Sequence, residues 1–253
     1  MIELTHLSKK FGDLMAVNDL SLKIERGEFF AILGPNAAGK TTLMRVLAGL
    51  LKPTSGTARV AGFDIQTDPL EARRRLAYVP DFPFLYDKLT PWEFFRFTAQ
   101  IFHMSESRLQ AASRELVPRF HLEPFLGKPI EGLSHGTRQR VAILSALLHD
   151  PEVFIIDEPM VGLDPQHART VKDVLRERTR QGGTVFLSTH QLDIAEEMAD
   201  RVGIMHQGKL VAVNTPDELR RKAGGRAALE EVFLAMTNGN PAPAPNSNSG
   251  GKP

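Results

Sequence analysis

FFAILGPNAAGKTT, residues 29–42, sets an unbroken apolar run against a glycine-bounded loop that closes on lysine and two threonines. A run of five apolar residues suits a strand covered on both faces, as in a parallel sheet. The next eight residues, Gly34-Pro35-Asn36-Ala37-Ala38-Gly39-Lys40-Thr41, fit the pattern G-x-x-x-x-G-K-[ST]. A helix is expected to follow, from Thr42 to Leu50. Glycines let such a loop curl its N–H groups toward one anion, and the helix N-terminus adds positive dipole. In such a loop Lys40 would bridge the β- and γ-phosphates of a nucleotide, Thr41 would give its hydroxyl to Mg²⁺, and Thr42 would sit near the α-phosphate.

Two further runs share the apolar character: Val153–Ile156 (VFII) and Thr184–Ser188 (TVFLS). Helical patterns follow the first run and precede the others, so the fold class is α/β with a mainly parallel sheet. The first ~25 residues read differently, as strands about a turn: Ile2–Leu7, Phe11-Gly12-Asp13, then Leu20–Ile24. From about Pro91 to His149 no strand pattern is legible. Thr90-Pro91-Trp92-Glu93 has the form of a helix start, with threonine at N-cap, proline at N1 and glutamate at N3. A helical insert in an α/β core follows from this. Beyond Gly239 proline, glycine, asparagine and serine dominate, which predicts a disordered tail over 239–253.

Bulk composition narrows the class. The 253 residues carry 31 basic and 30 acidic side chains, a net charge of +1, so a protein built to coat nucleic acid is disfavoured. Cysteine is absent, which removes disulfides and thiolate metal sites. The start MIELTHLSKKF lacks the apolar core of a secretory signal, and no apolar run approaches the ~20 residues of a membrane span. A cytosolic protein is expected, with any membrane role exercised through a partner.

Asp157 and Glu158 end the run VFII. Alone, such a pair reads as a helix cap with a solvated neighbour. Beside the phosphate loop it reads as chemistry: Asp157 holding Mg²⁺ through its water shell, Glu158 polarising an attacking water.

Leu133-Ser134-His135-Gly136-Thr137-Arg138-Gln139-Arg140 resembles the LSGGQ-type signature of ABC-transporter ATPases. Ser134 lies 134 − 40 = 94 residues after Lys40 and 157 − 134 = 23 before Asp157, spacings similar to that family. Gly162-Leu163-Asp164-Pro165 resembles its D-loop, His190 its switch histidine, and Phe11 the aromatic that stacks on adenine. The resemblance runs in order from about Ile2 to Leu219. Taken singly, Phe11 reads more readily as a core residue, His190 as a structural histidine and Ser134 as a helix cap. The resemblance implies one ATPase domain over 1–238. A nucleotide-binding core with an N-terminal antiparallel β subdomain would occupy 1–90 and 150–222, a helical subdomain 91–149, and a C-terminal helix 223–238. It implies ATP and Mg²⁺ as cofactors. It also implies a head-to-tail dimer, in which Ser134, His135 and Gly136 reach the γ-phosphate held by the partner chain's loop.

The sequence departs from the family at several points. Asp81 stands at the Q-loop glutamine and offers Mg²⁺ only oxygens and a charge. His135 replaces the first signature glycine, Thr137 the glutamine, and Ala37 a common glycine of the phosphate loop. Asn214 stands where a turn glycine is usual, and asparagine tolerates φ > 0.

Eight of the chain's 18 aromatics fall between Phe82 and Phe102. They are the core of the helical insert or, on the family's pattern, a groove that receives a helix of a membrane subunit. The second reading expects some of Phe82, Phe84, Tyr86 and Trp92 to be exposed. The ending Ala228–Thr237 (ALEEVFLAMT) resembles that of ABC-2 type export ATPases. The implied partners are a separately encoded integral-membrane permease and a second copy of the chain, with no nucleic acid, at the inner face of the cell membrane. The other reading is a non-transport ABC ATPase acting on ribosomes or DNA. Against it stand the single phosphate loop, the lack of a coiled-coil heptad stretch and the near-neutral charge.

Overall fold

In the computed structural model, residues 1–223 are described, together with Gly225, Glu230, Glu231 and Phe233. The amphipathic stretch Ala228–Thr237 and the tail from Gly239 therefore lie almost wholly outside the described residues.

The phosphate loop leaves a strand that is buried at every position, β3 (Phe29–Leu33). It is central in a six-stranded sheet with β6 (Leu76–Val79), β7 (Val153–Asp157), β8 (Thr184–Thr189), β9 (Arg201–His206) and β10 (Lys209–Asn214). The order is β10-β9-β3-β8-β7-β6, and every pairing is parallel except β10 with β9. A continuous apolar run is what two covered faces require. Phe29, Ala31 and Leu33 pack into one core, Phe30 and Ile32 into another. Phe30 stacks on Phe186 of β8 with ring centroids 5.7 Å apart.

The second core is roofed by a four-stranded antiparallel sheet in the order β2-β1-β4-β5. Its strands are β1 (Ile2–Phe11), β2 (Leu14–Ile24), β4 (Ser55–Val60) and β5 (Phe63–Asp64). Under it lie α1 (Lys40–Leu47), through Leu43, Met44 and Leu47, and α2 (Pro69–Arg74), through Ala72. The β1 and β2 strands are longer than their sequence pattern announces, because register shifts past Leu4 and Leu7 break the strict alternation.

The other face of the main sheet carries the remaining helices. These are α3 (Pro91–Ile101), α4 (Glu106–Arg119), α5 (His135–Leu147), α6 (Pro165–Arg180) and α7 (Leu192–Met198), with α8 (Pro216–Ala223) beyond β10. Between Pro91 and His149 the described elements are helices and two short 3₁₀ turns. The start of α3 is a complete capping box. The Thr90 hydroxyl accepts from Glu93 N–H at 3.2 Å, and the Glu93 carboxylate accepts from Thr90 N–H at 2.8 Å.

Three boundaries correct the sequence reading. Helix α1 begins at Lys40 and stops at Leu47, because Gly39 at φ 104° launches it and Gly49 at φ 68° follows its end. Strand β8 runs through Thr189, so His190 lies just past it. Asn214 is the last residue of β10, paired with Val202, and needs no positive φ.

Candidate active site at the strand ends

Parallel pairing sets the site. Leu33 sits beside Thr189, and Asp157 beside Ser188, so the carboxyl ends of β3, β8 and β7 open into one crevice. The loop from Gly34 to Gly39 curls over it. Cβ atoms added to Gly34 or Gly39 would overlap the carbonyl oxygens of Met205 or Ala16, so both glycines are fixed by close backbone approach. Gly208 N–H donates to Ala38 O at 2.9 Å and Asn18 N–H to Gly208 O at 2.8 Å, tying the loop to the β9–β10 turn and to β2.

Lys40 is only 6% exposed. Its ammonium donates to Gly34 O at 2.6 Å and Pro35 O at 3.1 Å, and it has no ion pair among the described residues. Lys40 is thus folded onto its own loop. Burial holds its pKa below the ordinary lysine value, while Glu158 and Asp157 push the other way. A buried cation bonded only to carbonyls is built for an anion.

Beside it, Thr41 donates its hydroxyl to Asp157 Oδ2 at 2.7 Å, and Ser188 donates to Asp157 Oδ1. Asp157 is 1% exposed. Glu158 follows in the left-handed region, φ 48°, with its N–H on Ser188 O at 3.1 Å. Its carboxylate meets His190 Nδ1 at 2.8 Å. Strain of this sort concentrates where a side chain must be aimed.

The resulting cleft has a volume of about 490 Å³. Phe11, Asn36, Ala37, Ala38, Gly39, Lys40, Thr41, Thr42, Asp81, Asp157 and Glu158 line it. Gly34 and Pro35 sit behind the wall and serve through their carbonyls. Phe11 is 44% exposed, with the Lys9 ammonium 4.9 Å from its ring centroid. The cleft also uses residues the sequence reading missed: Leu14, Met15, Ala16, Gln207 and Gly208. Leu14 and Met15 are exposed apolar residues beside Phe11, a signal available in the sequence only once β2 is known to start at Leu14. A second hollow of about 550 Å³, by Arg119 and Lys172, is mixed in charge. Its Arg119–Glu177 and Lys172–Glu197 pairs, at 2.7 and 2.6 Å, already satisfy one another.

Ser134, His135, Gly136 and Asp164 do not line the cleft on this chain. Ser134 caps α5, its hydroxyl accepting from Thr137 N–H at 3.3 Å and sharing a 2.9 Å bond with the Thr137 hydroxyl. Asp164 caps α6, accepting from His167 N–H at 2.9 Å and meeting His167 Nδ1 at 2.6 Å, and these bonds hold its pKa low. Ser134 and His135 are exposed.

The family model for the ABC transporter matches residues 17–161, from β2 through Asp157 and Glu158. The chain belongs to the ABC transporter ATP-binding family. An AAA-domain model overlaps it at residues 127–196. The chain is 36% identical over 217 residues to the daunorubicin resistance ATP-binding protein DrrA3 of Streptomyces coeruleorubidus, covering 86% of this chain and 69% of that one. It is 34% identical over 216 residues to the ABC transporter ATP-binding protein NatA of Bacillus subtilis, covering 83% and 88%. Against the probable multidrug ABC transporter ATP-binding protein YbhF of Escherichia coli it is 35% identical over 240 residues, but spans only 41% of that protein's length. Among solved structures, an ATP-binding subunit of an ABC transporter superposes with a TM-score of 0.88 at 34% identity, covering 94% of this chain and 99% of that one. The dimeric ATP-binding cassette MJ0796, in a post-hydrolysis state with ADP and Pi, superposes at 0.79 and 26% identity, covering 85% and 99%.

Proposed function

We propose that this ABC family chain binds and hydrolyses Mg-ATP as the motor subunit of a membrane exporter, acting as a head-to-tail dimer. One observation carries the reading. A buried Lys40, with no ion pair among the described residues, stands beside the Thr41–Asp157 pair and the Glu158–His190 pair at the ends of three adjacent parallel strands.

ATP fits this cleft by charge and shape. The Phe11 ring would face the base, the loop 34–39 and the first turn of α1 the phosphates, and Lys40 the β- and γ-phosphates. Thr41, Asp157 and Asp81 supply oxygens for a hard divalent cation, which Mg²⁺ takes in preference to nitrogen or sulfur. Among the described residues no cluster of three His, Asp or Glu forms a cage of its own, as suits a cation held partly by phosphate. Bound Mg²⁺ would supply charge neutralisation on the phosphates. Glu158 then polarises a water, and the His190 Nδ1 contact fixes the carboxylate's direction.

On this reading a second chain supplies half of each site; the start of α5 lies outside the cleft of its own chain. A second copy turned head to tail would bring Ser134 and the N–H groups of His135 and Gly136 to the γ-phosphate, a helix N-terminus delivered in trans. Loss of the γ-phosphate removes that differential contact and reopens the dimer. Phe82, Phe84 and Tyr86 are 63, 83 and 58% exposed, while Trp92 is half-buried against the core. Their surface would receive a helix of a separately encoded permease at the inner face of the membrane. No helix among the described residues is long and apolar enough to cross a membrane itself. Export is favoured by a relative named as a Nod factor export ATP-binding protein in Burkholderia lata, 34% identical over 218 residues.

The test is complementation between two inactive variants. Lys40→Ala leaves a chain with an intact α5 start, and Ser134→Ala leaves one with an intact phosphate loop. Mixed one to one, half the dimers would be mixed and hold one complete site, so about a quarter of wild-type turnover returns. No recovery on mixing sinks the trans arrangement. Unchanged ATP affinity in Lys40→Ala sinks the phosphate role of Lys40.

A further inference from the structure

His135 stands at the first position of α5, and its exposed ring faces a loop of its own chain on either side. On one side it lies 6.2 Å from the Phe82 ring, centroid to centroid, at a tilt of 32°. On the other it covers Gly162. A Cβ at Gly162 would lie 3.0 Å from the imidazole Nε2 and overlap its Cδ2. Gly162 also has φ 77°, which a side chain rarely adopts. The fit is reciprocal: a Cβ at Gly136 would come within 2.7 Å of the Gly162 carbonyl oxygen. Two glycines thus clear the space in which loop 158–164 seats against the start of α5, and the imidazole fills what remains.

Both loops carry residues of the nucleotide cleft. Phe82 follows Asp81, which lines the cleft, and Gly162 is four residues beyond Glu158. We infer that the His135 side chain is a positioning residue: a flat wedge between Phe82 and Gly162 that sets, within one chain, the spacing of the loops bearing Asp81 and Glu158. The inference rests on hydrolysis at the Lys40 cleft, not on the trans arrangement. The His135 backbone can still face a partner's phosphate while its ring serves its own chain's site.

A shift of one ångström in a catalytic group costs up to about a hundredfold in rate. His135→Gly, which empties the wedge, is expected to lower kcat about fivefold or more, with KM for ATP changed by less than about twofold. His135→Phe keeps a flat ring and should recover most of that loss. A rise in KM at unchanged kcat, or no recovery with phenylalanine, overturns the wedge and puts the imidazole on the nucleotide.

Mixing separates a role on the same chain from one on the partner's site. In a His135→Gly and Lys40→Ala pair, the only working phosphate loop belongs to the His135→Gly chain, and the facing α5 start is wild-type. A wedge serving its own chain predicts no gain on mixing, and a gain overturns it. The Ser134→Ala and Lys40→Ala mixture is the control for subunit exchange. If that control shows no recovery, the trans arrangement has failed, and the phenylalanine rescue alone decides the wedge.

Discussion

At the scale of the residue, Ala37 shows how far a motif can be read. The pattern G-x-x-x-x-G-K-[ST] leaves the position free, yet the structure places Ala37 at φ 64°. A left-handed alanine costs roughly 1–2 kcal/mol, partly offset because glycine loses more entropy on folding. Ala37→Gly should therefore stabilise by up to about 1 kcal/mol and raise the melting midpoint by about 2 °C, checked by thermal denaturation without nucleotide. A fall in the midpoint would show that the loop relaxes out of that conformation in solution. That Lys40, Thr41, Asp157 and Glu158 meet in one cleft was legible from their spacing and residue types. Ser188, which donates to Asp157, and Gly208, which bonds the phosphate loop, were not. Their roles come from strand register and from a turn far along the chain. The signature serine shows a third case: on this chain its hydroxyl caps α5.

At the scale of the element, continuous apolar runs announced β3, β7 and β8, whereas β6, β9 and β10 passed unmarked. The reasons differ: β10 is exposed or half-buried throughout, β6 is only four residues long, and Gly203 breaks the apolar run of the buried β9. Helix α3 was legible at its start because its cap is local chemistry. What holds the helical region to the sheet was not, and His149 is a clear instance. Its ring stacks on Phe102 past the end of α3, centroids 3.6 Å apart, and its Nε2 meets Leu76 O at 3.3 Å at the head of β6. Its Nδ1 is buried without a partner among the described residues. Protonation there would bury a charged N–H, and burial pushes the pKa down to about 4, against opposing pulls from the Leu76 carbonyl and Asp150. The unfolded chain, with an ordinary value near 6.5, takes up this proton first as the pH falls. Stability is therefore lost between about pH 6.5 and 4, amounting to about 2 kcal/mol by pH 5. His149→Phe keeps the stacking and removes the proton. Urea unfolding at pH 7.5 and pH 5 should show that much less acid loss in the variant; equal losses would place the acid sensitivity elsewhere.

At the scale of the molecule, one chain presents an open cleft on its nucleotide core and the exposed start of α5 away from it. The proposed dimer closed by ATP would account for both. Glu158→Gln keeps the size and hydrogen bonding of the side chain but not its basicity, so it should bind ATP, lose most turnover and accumulate as a dimer. Light scattering with ATP and with ADP reads this: dimer with the first, monomer with the second. A monomer under both removes ATP as the glue. The remaining surface points outward. Phe84, the most exposed of the clustered aromatics, borders a groove of about 290 Å³ with Pro83, Leu85, Phe94, Phe102 and His149. Apolar area of this sort on a stable chain calls for a partner, and Pro80, which lines the groove, directly precedes Asp81 of the cleft. Phe84→Asp puts a charge where an apolar helix face would sit, at a cost of several kcal/mol in docking but with little effect on the fold, since the side chain is already in water. The isolated variant should hydrolyse ATP at the wild-type rate and fail to co-purify with the membrane subunit. If it still co-purifies and supports export, the permease docks elsewhere and the exposed aromatics need another explanation.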